Sequence, residues 1–222
     1  MRRIVVAGAS RGLGAAVARH HVVAGNEVIS LSRGRSEHGL WIECDLSDPV
    51  QISEASERIQ APVDALIVVA GIWEAQAFSP SYSLAASSVD EISRILAVNL
   101  QAPILLAKAL MAKLQGGRII LIGSTSGLDH VGTPEAAYNA SKAGLRGAAQ
   151  ALAHALSGQD TAVSILNPGD IGTDEVLAAK ADGTMRPDGS LPMNDLLITV
   201  DFLLALSPQS SSCEVNLIPL GR

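Results

Sequence analysis

Tyr138 and Lys142 stand four residues apart in the run Tyr138-Asn139-Ala140-Ser141-Lys142. On a helix that spacing sends both side chains out on one face, one turn apart. A phenol titrates near ~10 and holds its proton too tightly to exchange it readily at neutral pH. A cation beside it favours the phenolate and lowers that value. The pair is therefore equipped to give and take a proton. An ordinary helix offers the same two residues as a packed ring beside a solvated amine, so the elements around the pair must decide between the readings.

The strongest of those elements lies at the start of the chain. Arg2 to Ala7 is a short, β-branched apolar run of the kind buried on both faces of a parallel sheet. It passes into Gly8-Ala9-Ser10-Arg11-Gly12-Leu13-Gly14, and a helical pattern follows from about Gly12 to Ala24. Strand, glycine turn and helix in that order form a phosphate cradle: Gly8 permits the turn, Gly12 lets backbone approach a pyrophosphate, and Gly14 lets the helix pack near the strand. The first-turn N–H groups, with Ser10, Arg11 and Leu13 beside them, face the phosphates. A glycine-rich packing turn is the plainer alternative.

A second strand, Glu27 to Ser32, ends in Ser32-Arg33-Gly34-Arg35. At that corner of a dinucleotide fold an acidic residue suits a ribose 2′-OH and an arginine suits a 2′-phosphate. Ser32 and Arg33, with Arg11 in reach, favour NADP(H). Gly39 to Cys44 reads as a third strand. Asp45-Leu46 follows, where Asp45 either meets the adenine or bonds nearby backbone. Ser47 or Asp48 caps a helix that carries Pro49 at its first position and runs to about Gln60. Asp64 to Ala70 is a fourth strand, closed by Gly71.

The 73–87 stretch is irregular and holds Trp73, Phe78 and Tyr82, half of the chain's aromatic residues. Such a loop lines a pocket or folds back on the core. A long helix follows from Ser88 to Leu114, carrying Asn99 and bent at Pro103. A fifth strand, Arg118 to Ile122, runs into Gly123-Ser124-Thr125-Ser126-Gly127. Pro134 fits the first turn of the helix that carries Tyr138 and extends to about Leu156. A sixth strand, Thr161 to Leu166, leads to Asn167-Pro168-Gly169-Asp170. Residues 170–192 read as a substrate lid with a short helical piece. A helix (192–206) and a strand (214–218) complete a single domain over residues 1–222. The alternation of strands and helices predicts a doubly wound, mostly parallel seven-stranded sheet with helices on both faces and ligands at the strands' carboxyl ends.

Composition narrows the function classes. The chain has 222 residues, 48% hydrophobic but only 3% aromatic, so its core rests on Ala, Val, Ile and Leu. A net charge of −6 with no basic run gives nucleic-acid binding no electrostatic footing. No run of eighteen apolar residues predicts a membrane span. Cys44 and Cys213 form no CxxC pair and read as reduced core residues of a cytoplasmic protein. His20-His21 reads as a surface pair and not a metal site.

Taken together, Gly8-xxx-Gly12-x-Gly14, Asp45, Ala70-Gly71, Asn99, Ser124, Tyr138-xxx-Lys142 and Pro168-Gly169 make the chain resemble the short-chain dehydrogenase/reductase family, with its Rossmann-type fold, over nearly its whole length. The resemblance implies that Tyr138 is the acid/base, Ser124 binds the substrate oxygen, Lys142 holds the nicotinamide ribose and lowers the Tyr138 pKa, and Asn99 extends a proton relay through water. Ser126 is the fallback serine. Ile171 and Thr173 would join Pro168 and Gly169 at the cofactor, Thr173 at its carboxamide or phosphates. The expected reaction is hydride transfer between NADP(H) and a small-molecule carbonyl or secondary alcohol, in a homodimer or homotetramer without nucleic-acid or membrane partners. A dinucleotide-binding sensor or scaffold without turnover is the alternative. Trp73, His130, Val176, Leu177 and Met185 are the expected pocket residues. Two departures from the family pattern are Val68-Val69 where an Asn pair is usual, and the missing Asp-Gly-Gly after the last strand.

Overall fold

The computed structural model describes residues 1–60, 62–184, 189–207 and 210–220. Its centre is one seven-stranded sheet in the order β3-β2-β1-β4-β5-β6-β7. The strands are β1 (Arg3–Ala7), β2 (Glu27–Ser32), β3 (Leu40–Glu43), β4 (Ala65–Val68), β5 (Arg118–Ile122), β6 (Ala162–Pro168) and β7 (Glu214–Leu217). Every pairing in it is parallel, so the expected mostly parallel sheet is wholly so among the described residues.

The solid apolar runs exist because alternate residues feed two separate cores. Val5, Leu66 and Ile119 pack with Leu106, Leu110 and Leu145 on one face. Ile4, Ile67 and Ile120 pack with Val17, Leu196 and Val200 on the other. The helices are α1 (Gly12–Val23), α2 (Pro49–Glu57), α3 (Val89–Leu96), α4 (Ala102–Leu110), α5 (Ala136–Leu156), α6 (Asp174–Ala181) and α7 (Met193–Ala205). Helices α1 and α7 cover the second face; α2, α4 and α5 cover the first.

Several local expectations change. The long helix does not simply bend at Pro103. It widens into a π-helical turn, Ala97–Gln101, where the Ala102 N–H bonds the carbonyl of Ala97. Pro103 has no N–H for the Asn99 carbonyl, and a turn of this kind absorbs the lost bond. The stretch Val89–Lys113 is long and apolar enough to cross a membrane by length and composition alone. Here it lies against the sheet, with Leu106, Ala107 and Leu110 buried. Pro134 lies outside α5, whose N-cap is Glu135. Of the two candidate caps on α2, Asp48 is used, accepting from the N–H groups of Val50 and Gln51.

Cys44 is buried as expected, but Cys213 is exposed beside β7. His21 is not a surface residue: it is 1% exposed, and burial pulls its pKa down to about 4. Its neighbour His20 bonds Asp201 at 2.7 Å and ties α1 to α7, remote from the cleft described below. The three side chains bring metal-type ligand atoms within 4.8 Å of one another.

Candidate functional site

At the carboxyl ends of the strands lies a cleft of about 1050 Å³. Strand order reverses there between β1 and β4, the place where open sheets bind ligands. Gly8 through Gly14 form its floor. Gly8 has φ +94, and a Cβ on it would sit 2.6 Å from the Ala70 nitrogen. A Cβ on Gly14 would collide with the Gly8 carbonyl oxygen, so β1, β4 and α1 close together only over bare backbone. Helix α1 has no side-chain cap and no acidic residue in its first turn. Its leading N–H groups are thus available to an anion.

The predicted positions converge on this one cleft. Gly8, Ser10 to Gly14, Ser32, Arg33, Asp45, Leu46, Ala70, Gly71, Ser124, Tyr138, Lys142, Pro168, Gly169, Ile171 and Thr173 all line it. Its size and its uncapped helix end fit a dinucleotide. Arg33 is exposed at the end of β2, with no acidic residue following that strand before Glu37. The Ser32 hydroxyl is already used, donating to the Gly34 carbonyl at 2.7 Å. The Asp45 carboxylate closes its own turn, accepting from the Ser47 N–H and hydroxyl at 2.9 and 2.7 Å. Arg94 of α3 approaches Asp45 at 3.7 Å and lines the cleft, a contribution the sequence did not disclose. Burial works against the Asp45 carboxylate, but the Ser47 bonds and the Arg33 and Arg94 charges hold its pKa below the usual value. The Thr173 hydroxyl caps α6 by accepting from the Val176 N–H at 3.2 Å.

At the other end stand Tyr138, Lys142 and Ser124. Lys142 is 3% exposed and donates to the Ile122 carbonyl at 2.9 Å. Burial lowers its pKa to about 8. Its Nζ lies 5.7 Å from the Tyr138 ring centroid. The expected fall in the Tyr138 pKa does not follow from that contact. Burial dominates and pushes the phenol up to about 12, while the hydrogen bond with Ser124 pulls the other way and the charges of Asp170, Glu135 and Glu74 add to the rise. Ser124 Oγ also accepts from the Ser126 N–H at 3.1 Å, and its single proton is the one it can give to the phenol oxygen or to a bound substrate. Ser126 lines the cleft as well, but the phenol's serine partner is Ser124.

Asn99 is fully buried beside this group without lining the cleft. Its amide accepts from the Ile72 N–H at 2.8 Å and donates to the Ile72 carbonyl at 2.7 Å and to Ser141 Oγ at 3.0 Å. The side chain therefore stitches the segment after β4 to α5. A Cβ on Gly71 would lie 3.4 Å from Lys142 Nζ and 4.0 Å from Asn99 Oδ1, so these two side chains converge over that glycine.

Of the expected pocket residues, Trp73 and Val176 line the cleft; His130 and Leu177 do not, and both are exposed. Met185 lies outside the described residues. Residues 76–78 line the cleft instead. The Trp73, Phe78 and Tyr138 rings meet edge to face, with centroids 5.3 to 6.4 Å apart. The 170–192 segment is pinned at its base, where Gly172 donates to the Leu191 carbonyl and Leu191 to the Asp170 carbonyl. Lys180 of α6 pairs with Asp170 at 3.0 Å.

Comparison with known proteins converges on the same reading. A family model described as short chain dehydrogenase matches residues 2–182. The 3-oxoacyl-[acyl-carrier-protein] reductase MabA of Mycobacterium tuberculosis is 33% identical over 181 residues, which span 78% of this chain and 70% of that protein. A cyclic-di-GMP-binding biofilm dispersal mediator protein of Escherichia coli is 30% identical over 194 residues, or 83% and 78% of the two chains. A Burkholderia cenocepacia short chain dehydrogenase solved in complex with NADP superposes with a TM-score of 0.82 at 26% identity, over 97% of this chain and 96% of that one.

Proposed function

The chain belongs to the short-chain dehydrogenase family and is an NADP(H)-dependent oxidoreductase, and we propose that it reduces a ketone or aldehyde with Tyr138 as the general acid. The observation that carries this reading is the buried trio of Ser124, Tyr138 and Lys142 at one end of a cleft whose other end is an uncapped helix and an arginine corner.

When bound, the nicotinamide would supply or accept the hydride. The residues of this chain do the rest. Backbone N–H groups of the α1 first turn would hold the pyrophosphate. Arg33 and Arg11, which line the same cleft, would face the 2′-phosphate. Lys142 spends one donor on Ile122, which leaves two of its three for the nicotinamide ribose hydroxyls. Ser124 donates to the substrate oxygen and steadies the charge that grows on it. Tyr138 delivers the proton to that same oxygen, and in alcohol oxidation takes it back. A phenol pushed up to about 12 carries its proton at neutral pH, and the Ser124 hydrogen bond, which pulls that value down, favours its release. Asn99, which acts on Ile72 and Ser141, supports the relay by fixing the walls beside Lys142.

The substrate end is apolar: Trp73, Ala77, Phe78, Val98 and Val176 surround it, with α6 contributing Val176 and Ala179. This favours a small hydrophobic carbonyl. The exposed Leu96 and Ile104 on the α3–α4 face are where a second copy of the chain would dock, which sedimentation would report as a dimer or tetramer. A sensor without turnover is the competing reading, and the relative that binds cyclic di-GMP gives it weight. NADPH oxidation measured against a panel of ketones and aldehydes separates the two. Turnover that disappears in Tyr138→Phe, with NADPH binding retained, supports the enzyme. NADPH binding with no turnover on any carbonyl would falsify it.

A further inference from the structure

Two buried carboxylates stand beside Tyr138 and take no part in the chemistry proposed for the cleft. Glu74 is 1% exposed and Glu135 is fully buried. Glu74, from the loop after β4, accepts at Oε1 from the Ala137 N–H at 2.8 Å and from the Tyr138 N–H at 3.2 Å. Those are first-turn donors of α5, which no residue of the helix itself can satisfy. Tyr82, from the same loop, takes the Ala136 N–H at 3.4 Å. In return Glu135, the residue before α5, accepts at Oε1 from the Phe78 N–H at 2.7 Å. Loop and helix thus exchange carboxylates.

The loop is held in a conformation it would not choose. Gln76 and Phe78 both have φ of +62, in the left-handed region that a bulky residue rarely adopts. Strain of this kind survives only where the surroundings over-determine it. Phe78 has its N–H on Glu135 and its ring edge-on to Tyr138, with centroids 5.3 Å apart. The carboxylates are also a costly way to cap a helix. Oε2 of each is buried without a hydrogen-bond partner among the described residues, whereas a serine or aspartate at the N-cap would satisfy the same donors more cheaply.

We infer that Glu74 is a positioning residue for Tyr138, and that with Glu135 it makes the aromatic wall of the substrate pocket and the proton donor one rigid unit. This rests on Tyr138 being the acid/base. Glu74 grips the backbone nitrogen of Tyr138 itself, so a shift of the loop moves the phenol against Ser124 and against the substrate oxygen. A misplacement of about 1 Å at such a centre costs on the order of a hundredfold in rate. Glu74 also places a negative charge near the phenol. The other groups facing it are Glu135, Asp170, Ser124 and the Lys142 ammonium.

The test compares Glu74→Ala, Glu74→Gln and Tyr138→Phe with the full-length wild type, in carbonyl reduction by NADPH and in alcohol oxidation across pH. Glu74→Ala should lower kcat about 10- to 100-fold with NADPH affinity changed less than about twofold. Glu74→Gln keeps an acceptor oxygen and should restore kcat. It should also move the acid limb of the oxidation profile to lower pH, because removing a negative charge favours the phenolate. Amide exchange gives a readout independent of turnover: Glu74→Ala should speed exchange at 136–138 and 74–82 and leave 145–156 unchanged. An unchanged kcat in Glu74→Ala, an equal loss of NADPH affinity, an unmoved limb in Glu74→Gln, or unaltered exchange each overturn the inference. Activity that persists in Tyr138→Phe instead overturns the acid/base reading beneath it.

Discussion

Lys142 Nζ donates to the carbonyl oxygen of Ile122 at 2.9 Å, and this bond fixes an ammonium in a site with almost no access to water. Its pKa is lowered to about 8 by burial, from 10.5 in an unfolded chain. That shift corresponds to about 3 kcal/mol of destabilisation carried by the charged form.

The sign follows from proton linkage. Between about pH 8 and 10.5 the unfolded chain holds the proton that the folded chain has lost, so this group's contribution to stability rises with pH across that window. Lys142→Met removes the charge with little change in length. Relative to that variant, the cofactor-free wild type should gain about 3 kcal/mol between pH 8 and 10.5, measured by urea unfolding at each pH. A gap that does not change with pH would show that Lys142 is not the buried cation described here.

The role proposed for Ser124 rests on two bonds: it accepts from the Ser126 N–H and shares a hydrogen bond with the Tyr138 phenol. Ser124→Ala should lower kcat about 100- to 1000-fold, the usual loss on removing a donor to a developing oxyanion. It should also raise the Tyr138 pKa further, because the bond that pulls it down is gone. Ser126→Ala keeps the backbone N–H that meets Ser124 and should retain most of the activity. Equal losses in the two variants would return Ser126 to the candidate position.

What the sequence disclosed was what local spacing encodes. Tyr138 and Lys142 share a helix face by arithmetic. Continuous apolar runs such as Ile4-Val5-Val6-Ala7 betray strands buried on both faces, and Gly8, Gly12 and Gly14 are legible between a strand and a helix. What stayed hidden depends on contacts between distant segments. Glu74 and Glu135 look like surface acids, and only the folding of the 72–83 loop onto α5 buries them. The left-handed Gln76 and Phe78 carry no glycine signal. The rise in the Tyr138 pKa was not legible because burial, a property of the whole fold, is its largest cause. Pro134 misplaced the start of α5 because Glu135, and not a small polar residue, stands at its N-cap.

Gly14 carries both stability and binding. A Cβ there meets the Gly8 carbonyl oxygen and carbon and the Ala9 Cα, all backbone atoms that cannot rotate away. Gly14→Ala should cost about 1–3 kcal/mol as an overpacked contact. The same shift pushes the α1 N–H groups off the pyrophosphate position. NADPH affinity should fall by at least about tenfold, as measured by fluorescence titration at a temperature where the variant is folded. Gly25→Ala supplies a contrast: no atom lies within 4 Å of the added Cβ, and the change strains only a positive φ far from the cleft. It should destabilise without altering the affinity of the folded protein. Unaltered NADPH binding in Gly14→Ala would separate the glycine's packing from the cofactor.

Under the proposed reading, Arg33 decides which dinucleotide the cleft prefers. It stands exposed at the end of β2, and against the effect of burial its charge and that of Arg94 add to the Ser47 hydrogen bonds that lower the Asp45 pKa. A hydrogen bond to a charged group contributes about 1.5–3 kcal/mol, so losing the arginine at a 2′-phosphate should weaken NADPH binding about 10- to 100-fold. Arg33→Asp goes further, because a carboxylate repels the phosphate and accepts from a ribose 2′-OH instead. The ratio of kcat/KM for NADPH over NADH should therefore drop more in Arg33→Asp than in Arg33→Ala. The wild-type preference should also shrink as salt rises, since an exposed guanidinium–phosphate pair is screened within about 10 Å at 0.1 M ionic strength. Arg94→Ala tests the neighbouring charge: its effect should be smaller, because Arg94 is engaged with Asp45 at 3.7 Å. An NADPH/NADH ratio that stays constant in Arg33→Asp would move 2′-phosphate recognition away from the β2 corner altogether.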